Sequence, residues 1–389
     1  MRPVDSEVVP LGQAFGRVLS ADVAARVSQP PVDVSAMDGY AVRGEDVGRV
    51  PATLHRIGEA PAGAAFNGAV GPGETVRIFT GGPLPAGTDT VVLQENVDAA
   101  GQQVTVREIT RPGRHVRAAG LDFQAGQILL HAGQRLSARD VGLAAAMNAP
   151  SLHVRRRPKV AIVSTGSELV AAGGPVGPSR IVDANGPAMA AVVASFGAEP
   201  ISLGIARDKI AELEEAADAA RGADLFITIG GASVGEHDLI QKALAPRGLA
   251  VDFWKVALRP GKPLMFGHLG ALPVLGLPGN PVSALVCALL FVRTAIRALL
   301  GQRADDGTVA AVLGRDLDAN DGRQDYLRSR LERRADGTLV ATPFERQDSS
   351  MLAALAASGC LVVRTPQAPA EKAGASVLVI PFDLGPGAF

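Results

Sequence analysis

Between residues 160 and 301 short apolar runs alternate with segments of helical period, a rhythm that few architectures accommodate. "VAIVSTG" (160–166), "PISLGIAR" (200–207), "DLFITIGG" (224–231), "DFWKVAL" (252–258) and "LPVLGLPG" (272–279) read as strands apolar on both faces. "GPAMAAVVASFG", "DKIAELEEAADAAR" and "DLIQKALAPRG" read as helices between the first four, and "NPVSALVCALLFVRTAIRALLG" follows the last. Doubly buried strands joined by helices predict an open, mostly parallel α/β sheet whose sites lie beyond the carboxyl ends of the strands.

The flanks have other periods. Leu11, Phe15, Val18 and Leu19 stand near helical spacing, which predicts a connector helix over 8–20. From about 51 to 110, "TLHRIGEA", "ETVRIFT", "TVVLQENV" and "QVTVREIT" alternate with glycine and proline turns and predict a small β domain. At 125–148 a strand and then a helix capped by Ser137 predict that the chain returns to the first region. Beyond 303 a hairpin turning at Asp336-Gly337, a short helix and two further strands predict a terminal β-barrel. A chain of 389 residues exceeds one core, so several domains are expected. The expected division is a linker region at 1–25 and 124–155, a β-rich domain at 26–123, an α/β domain at 156–302 and a barrel at 303–389.

A formal charge of -1, with no basic run longer than "RRR" at 155–157, speaks against a nucleic-acid stripe or a polybasic membrane face. No apolar stretch was expected to reach the roughly 18 residues of a membrane span, and the acidic start "MRPVDSEVVP" lacks the apolar run of a signal peptide. Cys287 and Cys360 lie in apolar runs and read as buried thiols of a reducing compartment, so a cytoplasmic location is expected. The histidines have no metal spacing, and no nucleophile elbow, phosphate loop of the Walker type or paired-cysteine zinc motif is present.

The candidate chemistry lies where the α/β strands end: "STGSEL" (164–169), "IARD" (205–208), "TIGGASVGEHD" (228–238) and "LPGNPVS" (277–283). Gly230, Gly231 and Gly235 would expose backbone N–H groups, with Ser233 in the same turn. Pro278, Asn280, Pro281 and Ser283 open the following helix. Any one such turn is ordinary βα geometry; several in one sheet suggest a phosphorylated ligand. Glu168, Asp208 and Asp238 each follow a different strand. One such acid is usually a cap or a solvated loop carboxylate, whereas three around a phosphate suggest Mg2+. "KVALRPGKP" supplies Lys255, Arg259 and Lys262, and its Pro260-Gly261 bend is expected to aim Arg259 and Lys262 at one point, where they would neutralise an oxyanion; a solvated basic loop is the plainer alternative. In the β-rich part Thr80 stands on a Gly-Pro turn, where it could donate its hydroxyl to a ligand or serve as an ordinary turn residue, and "SAMDGYAVR" (35–43) reads as a loop gathering a small Ser, a Met, an acid, a Gly and a Tyr.

"PPVDVSAMDGYA", "RIFTGGPLPAGTDTVV", "STGSEL", "DAN", "GGASVGEHD", "KVALRPGKP" and "GLPGNPVSA" occur in this order over nearly the whole chain. Together they resemble the molybdopterin molybdenumtransferase family, the MoeA-like proteins related to the C-terminal domain of gephyrin. The resemblance implies a multidomain α/β plus β fold: an elongated linker domain, a small β domain, an open α/β domain and a C-terminal barrel. It implies a homodimer in which the β domain of one subunit approaches the α/β domain of the other. The family reaction takes adenylylated molybdopterin and molybdate, with Mg2+, to molybdenum cofactor and AMP. Transient contacts with the adenylyltransferase that makes the intermediate, and with apo-molybdoenzymes, are implied as well. Carried over by position, Asp38, Thr80 and Asp208 match active-site positions, and Glu168 and Asp238 match acids associated with metal and nucleotide. Lys262, Ser283, Arg328 and Ser349, with Arg259 nearby, match the oxyanion pocket, and Arg117 and Asp122 survive from a more highly charged family segment.

Two departures stand out. Arg259 replaces the lysine that commonly precedes "PGKP", so a planar fork takes the place of a point charge. "RHVRAAGLD" (114–122) is poorer in charge than the family pattern, which would weaken a contact with the pterin or a partner. Two other readings compete: the preceding adenylylation step, which leaves "SAMDGYA" and the barrel unexplained, and a non-catalytic molybdopterin-binding scaffold. Asp38 could orient water, Mg2+ or a phosphate.

Overall fold

The computed structural model describes residues 1–231, 239–303 and 305–382. In the β domain, β1 (Gly39–Val42), β2 (Ala52–Ala60), β3 (Glu74–Ile78), β4 (Thr90–Leu93), β5 (Val97–Ala100) and β6 (Gln103–Val106) form one sheet of order β4-β1-β3-β2-β6-β5. The segment read as a loop is thus only partly one. Asp38 sits on a turn, but Gly39–Val42 is a fully buried central strand, paired antiparallel with both β3 and β4. The small and apolar residues after Asp38 suit a strand closed on both sides.

The linker region is crossed twice, with Ser6–Pro10 antiparallel to Ser151–Arg155. The connector helix expected over 8–20 does not form. A single 3-10 turn, Leu11–Gln13, is followed by a left-handed Gly16 (φ 73), and Val18 and Leu19 bridge to Arg135 and Val154. The Gly16 N–H donates to Leu136 O across the domain, so the backbone bonds that a helix would use are satisfied by neighbouring strands. Phe15 is left exposed. Helix α1 (Ala138–Ala146) starts as expected: the Ser137 side chain accepts from the Asp140 N–H, and the Asp140 carboxylate accepts from the Ser137 N–H at 2.7 Å.

The α/β domain contains β7 (Lys159–Thr165), α2 (Asn185–Ser195), β8 (Glu199–Ala206), α3 (Ile210–Ala219), β9 (Leu225–Ile229), α4 (Leu239–Leu244), β10 (Leu249–Trp254), β11 (Met265–Leu269) and β12 (Leu272–Leu277). The sheet order is β8-β7-β9-β12-β11-β10. Neighbours from β8 to β12 are parallel, and β11 and β10 make an antiparallel edge. The expected strand at 252–258 ends at Trp254, and β11 was not anticipated. Leu269 pairs directly with Leu272, so Gly270-Ala271 forms a two-residue hairpin loop, which requires no crossover helix. One face of the sheet packs Met189 and Val193 of α2 with Ile162, Ile227 and Leu275, and the other packs Leu213, Ala217 and Ile240 with Val163 and Phe226.

Helix α5 (Pro281–Cys287) runs through a π-helical stretch, Ala288–Val292, into α6 (Arg293–Leu299). By length and composition the helix from Pro281 to Leu299 could cross a membrane, contrary to the expectation from sequence. It nevertheless packs Ala284, Cys287, Val292 and Ile296 into the core beneath the sheet, the placement of a buried helix in a large domain.

The remaining strands, β13 (Val309–Leu313), β14 (Gln324–Arg333), β15 (Leu339–Pro343), β16 (Cys360–Arg364) and β17 (Ser376–Pro381), close on themselves. The order β14-β15-β13-β17-β16 is completed by the pairing of β16 with β14, which gives a barrel; a short helix α7 (Leu352–Ala356) precedes β16. Leu258–Arg259 leaves the α/β sheet to run parallel with Gln324–Asp325, tying the two domains together.

Candidate active site

A cleft of about 530 Å³ lies where β7, β9 and β12 end. Its lining includes Thr165, Gly166, Glu168, Asp183, Asn185, Asp208, Gly230, Gly231, Pro278, Asn280, Pro281 and Ser283, so most of the strand-end candidates are brought together. Parallel strands direct their carboxyl ends to one edge, which is why turns distant in sequence meet. Gly230 has φ 94, and a Cβ there would lie 2.6 Å from Thr165 O, so the floor of the cleft requires glycine. Ser233, Gly235 and Asp238 lie outside the described residues.

The acids differ in their commitments. Asp208 accepts the Ser167 N–H at 2.9 Å, while its own N–H donates to Ser167 Oγ at 3.1 Å, so it clips the turn beside Glu168. Glu168 is exposed, and its carboxylate has no hydrogen-bond or ion-pair partner among the described residues. Asp183 and Asn185 are the two polar residues of the "DAN" motif. Asp183 is 7% exposed and its Oδ1 accepts the N–H groups of Asn185 and Gly186 at 3.0 Å each. Asn185 Nδ2 donates to Gly279 O at 2.7 Å, leaving Oδ1 buried on the cleft wall without a partner among the described residues. A buried acceptor of this kind requires a ligand or water donor.

The cations do not converge as the bend in "KVALRPGKP" suggested. Arg259 pairs with Asp325, lies 3.3 Å from Asp321, and donates to Asn320 at 3.3 Å, so the barrel's acids claim it. Lys255 adopts a left-handed backbone (φ 70) and sets its ammonium 4.2 Å over the Trp254 ring. Lys262 alone of the three has no side-chain partner among the described residues, and its neighbour Pro263 lines the cleft. Arg328 is also not a free oxyanion donor. It is 1% exposed and donates to Gln347 Oε1 (3.3 Å), Met351 O (3.1 Å) and Arg346 O (3.4 Å). The loop it holds presents Ser349, whose Oγ accepts from Asn280 Nδ2 at 2.9 Å and whose carbonyl accepts the Val282 N–H at 3.1 Å. Arg328 therefore reaches the cleft through Ser349.

Asp38 and Thr80 form a second cluster, on the β domain. Asp38 Oδ1 accepts the Thr80 N–H at 2.8 Å and the Thr80 hydroxyl at 2.9 Å. The Thr80 N–H first, then its hydroxyl, hold the Asp38 carboxyl below its ordinary range, with Arg77 adding to the effect. Arg117 pairs in register with Val34, and the His115 carbonyl accepts the Ala36 N–H, so the exposed Arg117 strand borders the Asp38 turn. The exposed Asp122 follows in the same segment. No residue of 26–123 lines the α/β cleft of the same chain.

Because the folded-state value of Asp38 is depressed, its contribution to stability is present above the unfolded carboxylate pKa and is lost as pH falls through the lowered folded value. Thr80→Val removes the hydroxyl donor and keeps the N–H. An NMR titration should show the Asp38 carboxyl moving up toward its ordinary range; an unmoved titration would mean that the hydroxyl contributes nothing.

Three family models account for most of the chain. "MoeA N-terminal region (domain I and II)" matches residues 1–148, "Probable molybdopterin binding domain" matches 161–298, and "MoeA C-terminal region (domain IV)" matches 310–382. The chain belongs to the MoeA family. A Haemophilus influenzae protein named molybdopterin molybdenumtransferase is 35% identical over 98% of this chain and 95% of its own. A Nostoc protein of the same name is 42% identical over 76% of this chain and 70% of its own. The solved molybdopterin biosynthesis MoeA protein from Pyrococcus horikoshii OT3 superimposes with a TM-score of 0.85 at 28% identity, covering 98% of this chain and 96% of that one. The Haemophilus and Pyrococcus relatives each cover 98% of the chain and so extend across the β domain, the cleft and the barrel alike.

Proposed function

We propose that this MoeA-family protein is a molybdopterin molybdenumtransferase, inserting molybdate into adenylylated molybdopterin with release of AMP. The observation that carries the reading is the cleft itself, a polar crevice at the ends of parallel strands with a glycine floor and an uncommitted carboxylate, in a chain matched end to end by relatives bearing that name. An adenylyltransferase would need the α/β domain but neither the Asp38 cluster nor the barrel, and a bare scaffold would not need an acid left free.

The Gly230-Gly231 turn leaves space for the nucleotide part of the substrate, and Asn280, Ser283 and Ser349 offer polar groups beside it. Lys262 supplies the positive charge that a tetrahedral oxyanion needs, and Arg259 sets the loop carrying it by gripping the barrel. Positioning the anion beside the substrate's dithiolene sulfurs, with charge neutralised around both, is the main work assigned to the chain. The donor chemistry suits Mg2+ through Glu168, whose exposed carboxylate lines the cleft, since Mg2+ is commonly held by one or two carboxylates with water and substrate phosphate. Glu168 and Asp238 would hold it, and when bound it would neutralise phosphate charge and polarise the bond to be broken.

Asp38 enters from a second subunit in this reading, since its own β domain contributes nothing to the cleft. Burial pushes the thiols of Cys287 and Cys360 up to about 12, which keeps them unreactive. The test is subunit complementation. Asp38→Ala and Glu168→Gln should each reduce AMP release from adenylylated molybdopterin and molybdate by at least about a hundredfold. Co-refolded, the two inactive chains should regain about a quarter of wild-type activity, because half the dimers are mixed and each has one intact site. Mixed dimers without activity would overturn the shared site, and ATP consumption with free molybdopterin would favour the adenylyltransferase.

A further inference from the structure

Away from the cleft, a cavity of about 560 Å³ opens where the linker region, helix α6 and the barrel meet. It has no lining residue in common with the cleft at the strand ends. Arg135, Arg293 and Arg297 line one side, and Phe196, Leu289 and Phe382 line another. We propose that this cavity is a binding site for a small organic anion, one carboxylate or phosphate group on an apolar body, held by Arg135, Arg293 and Arg297.

The cations there are under-compensated. Arg297 has Asp305 at 3.3 Å, but neither Arg135 nor Arg293 is ion-paired to a carboxylate among the described residues. Arg135 donates only to carbonyls, Gly16 O at 3.2 Å and Ser195 O at 3.4 and 3.5 Å. Arg293 gives one bond to Asp306 O at 3.0 Å, and its Nε is buried with no partner among the described residues. A guanidinium donor removed from water and left unbonded is costly, and an oxyanion on it recovers a charge-assisted bond. Burial first, and then the repulsion of Arg297, lowers the pKa of Arg293; burial, Arg157 and Arg297 do the same at Arg135. Both shifts are in the direction that a bound anion would reverse. Gly307 keeps the arrangement open: a Cβ there would stand 2.9 Å from Arg293 Nη1. The apolar wall continues into a neighbouring groove that shares Phe196, Leu289 and Phe382, which gives the ligand's body a dry surface.

Calorimetric titration of the full-length protein with octanoate, octyl phosphate and octanol at low ionic strength tests this. One or both anions should bind at one site per chain and the neutral alcohol should not; the preferred anion identifies the head group. Arg293→Gln should weaken binding by about tenfold or more, and Arg135→Lys, which keeps the charge, by no more than about threefold. Arg135→Gln, on a different domain, serves as the second deletion should Arg293→Gln not fold. Absence of anion binding to the wild type, equal binding of octanol, or full binding by a folded glutamine variant would overturn the site. AMP release lies outside this measurement, so failure here leaves the transferase reading intact.

Discussion

Gly39→Ala should destabilise the β domain by about 3 kcal/mol or more, the cost of a core clash that no rotamer relieves. A Cβ at this position would stand 2.0 Å from Val92 O and 3.2 Å from Val91 Cγ1. The obstacle is the backbone of an adjacent strand, in a position where β1 is held from both sides. Relief would need β4 to move away, breaking the ladder that also anchors the Asp38 turn, whose carbonyl accepts the Gln94 N–H at 3.2 Å. Chemical denaturation should show an earlier transition for this domain, and AMP release should fall with it. A variant within about 0.5 kcal/mol of the parent, the usual range for a neutral surface change, would contradict the described β1–β4 spacing.

Arg328→Met should lower stability by about 3 kcal/mol, because buried acceptors lose a charged donor. The methionine fills much of the volume, but Met351 O and Arg346 O lose their side-chain donor, and Gln347 Oε1 keeps only the backbone N–H of residue 328 at 3.0 Å. Ser349 would then be free to leave Asn280, so activity should fall together with stability. Arg328→Lys should restore only part of either, since a point charge cannot serve three acceptors spread along a loop. Activity lost with an unchanged denaturation midpoint would instead mean that Arg328 contacts the ligand directly.

These two residues show how legible the chain was. Gly39 could be seen in "SAMDGYA", but its role could not: a turn glycine and a strand glycine look alike until the neighbouring strands are known. Arg328 carried the right charge for an oxyanion pocket, yet its guanidinium is used up within its own loop. The strand-end turns at 164–169, 228–231 and 277–283 were readable as one crevice because parallel strands send their ends to the same edge. Asp183 and Asn185 carry no strand-end pattern in the sequence; the pairing of Ile181–Val182 with Leu169–Val170, the Asp183 N–H on Val170 O at 2.8 Å and the N-terminus of α2 bring them in.

Local pattern alone determined the α/β alternation, the α1 cap and the barrel hairpin at Asp336-Gly337, because periodicity, capping and turn chemistry act over a few residues. Tertiary structure decided what depends on partners distant in the chain. It replaced the expected 8–20 helix by the end of a strand, a 3-10 turn and isolated bridges by offering other hydrogen-bond partners, and turned Arg259 from the oxyanion loop to Asp325 by offering a carboxylate. A side chain's charge is written in the sequence, but the group that neutralises it is chosen by the fold, since Coulomb and hydrogen-bond energies fall off within a few ångströms that sequence separation does not measure.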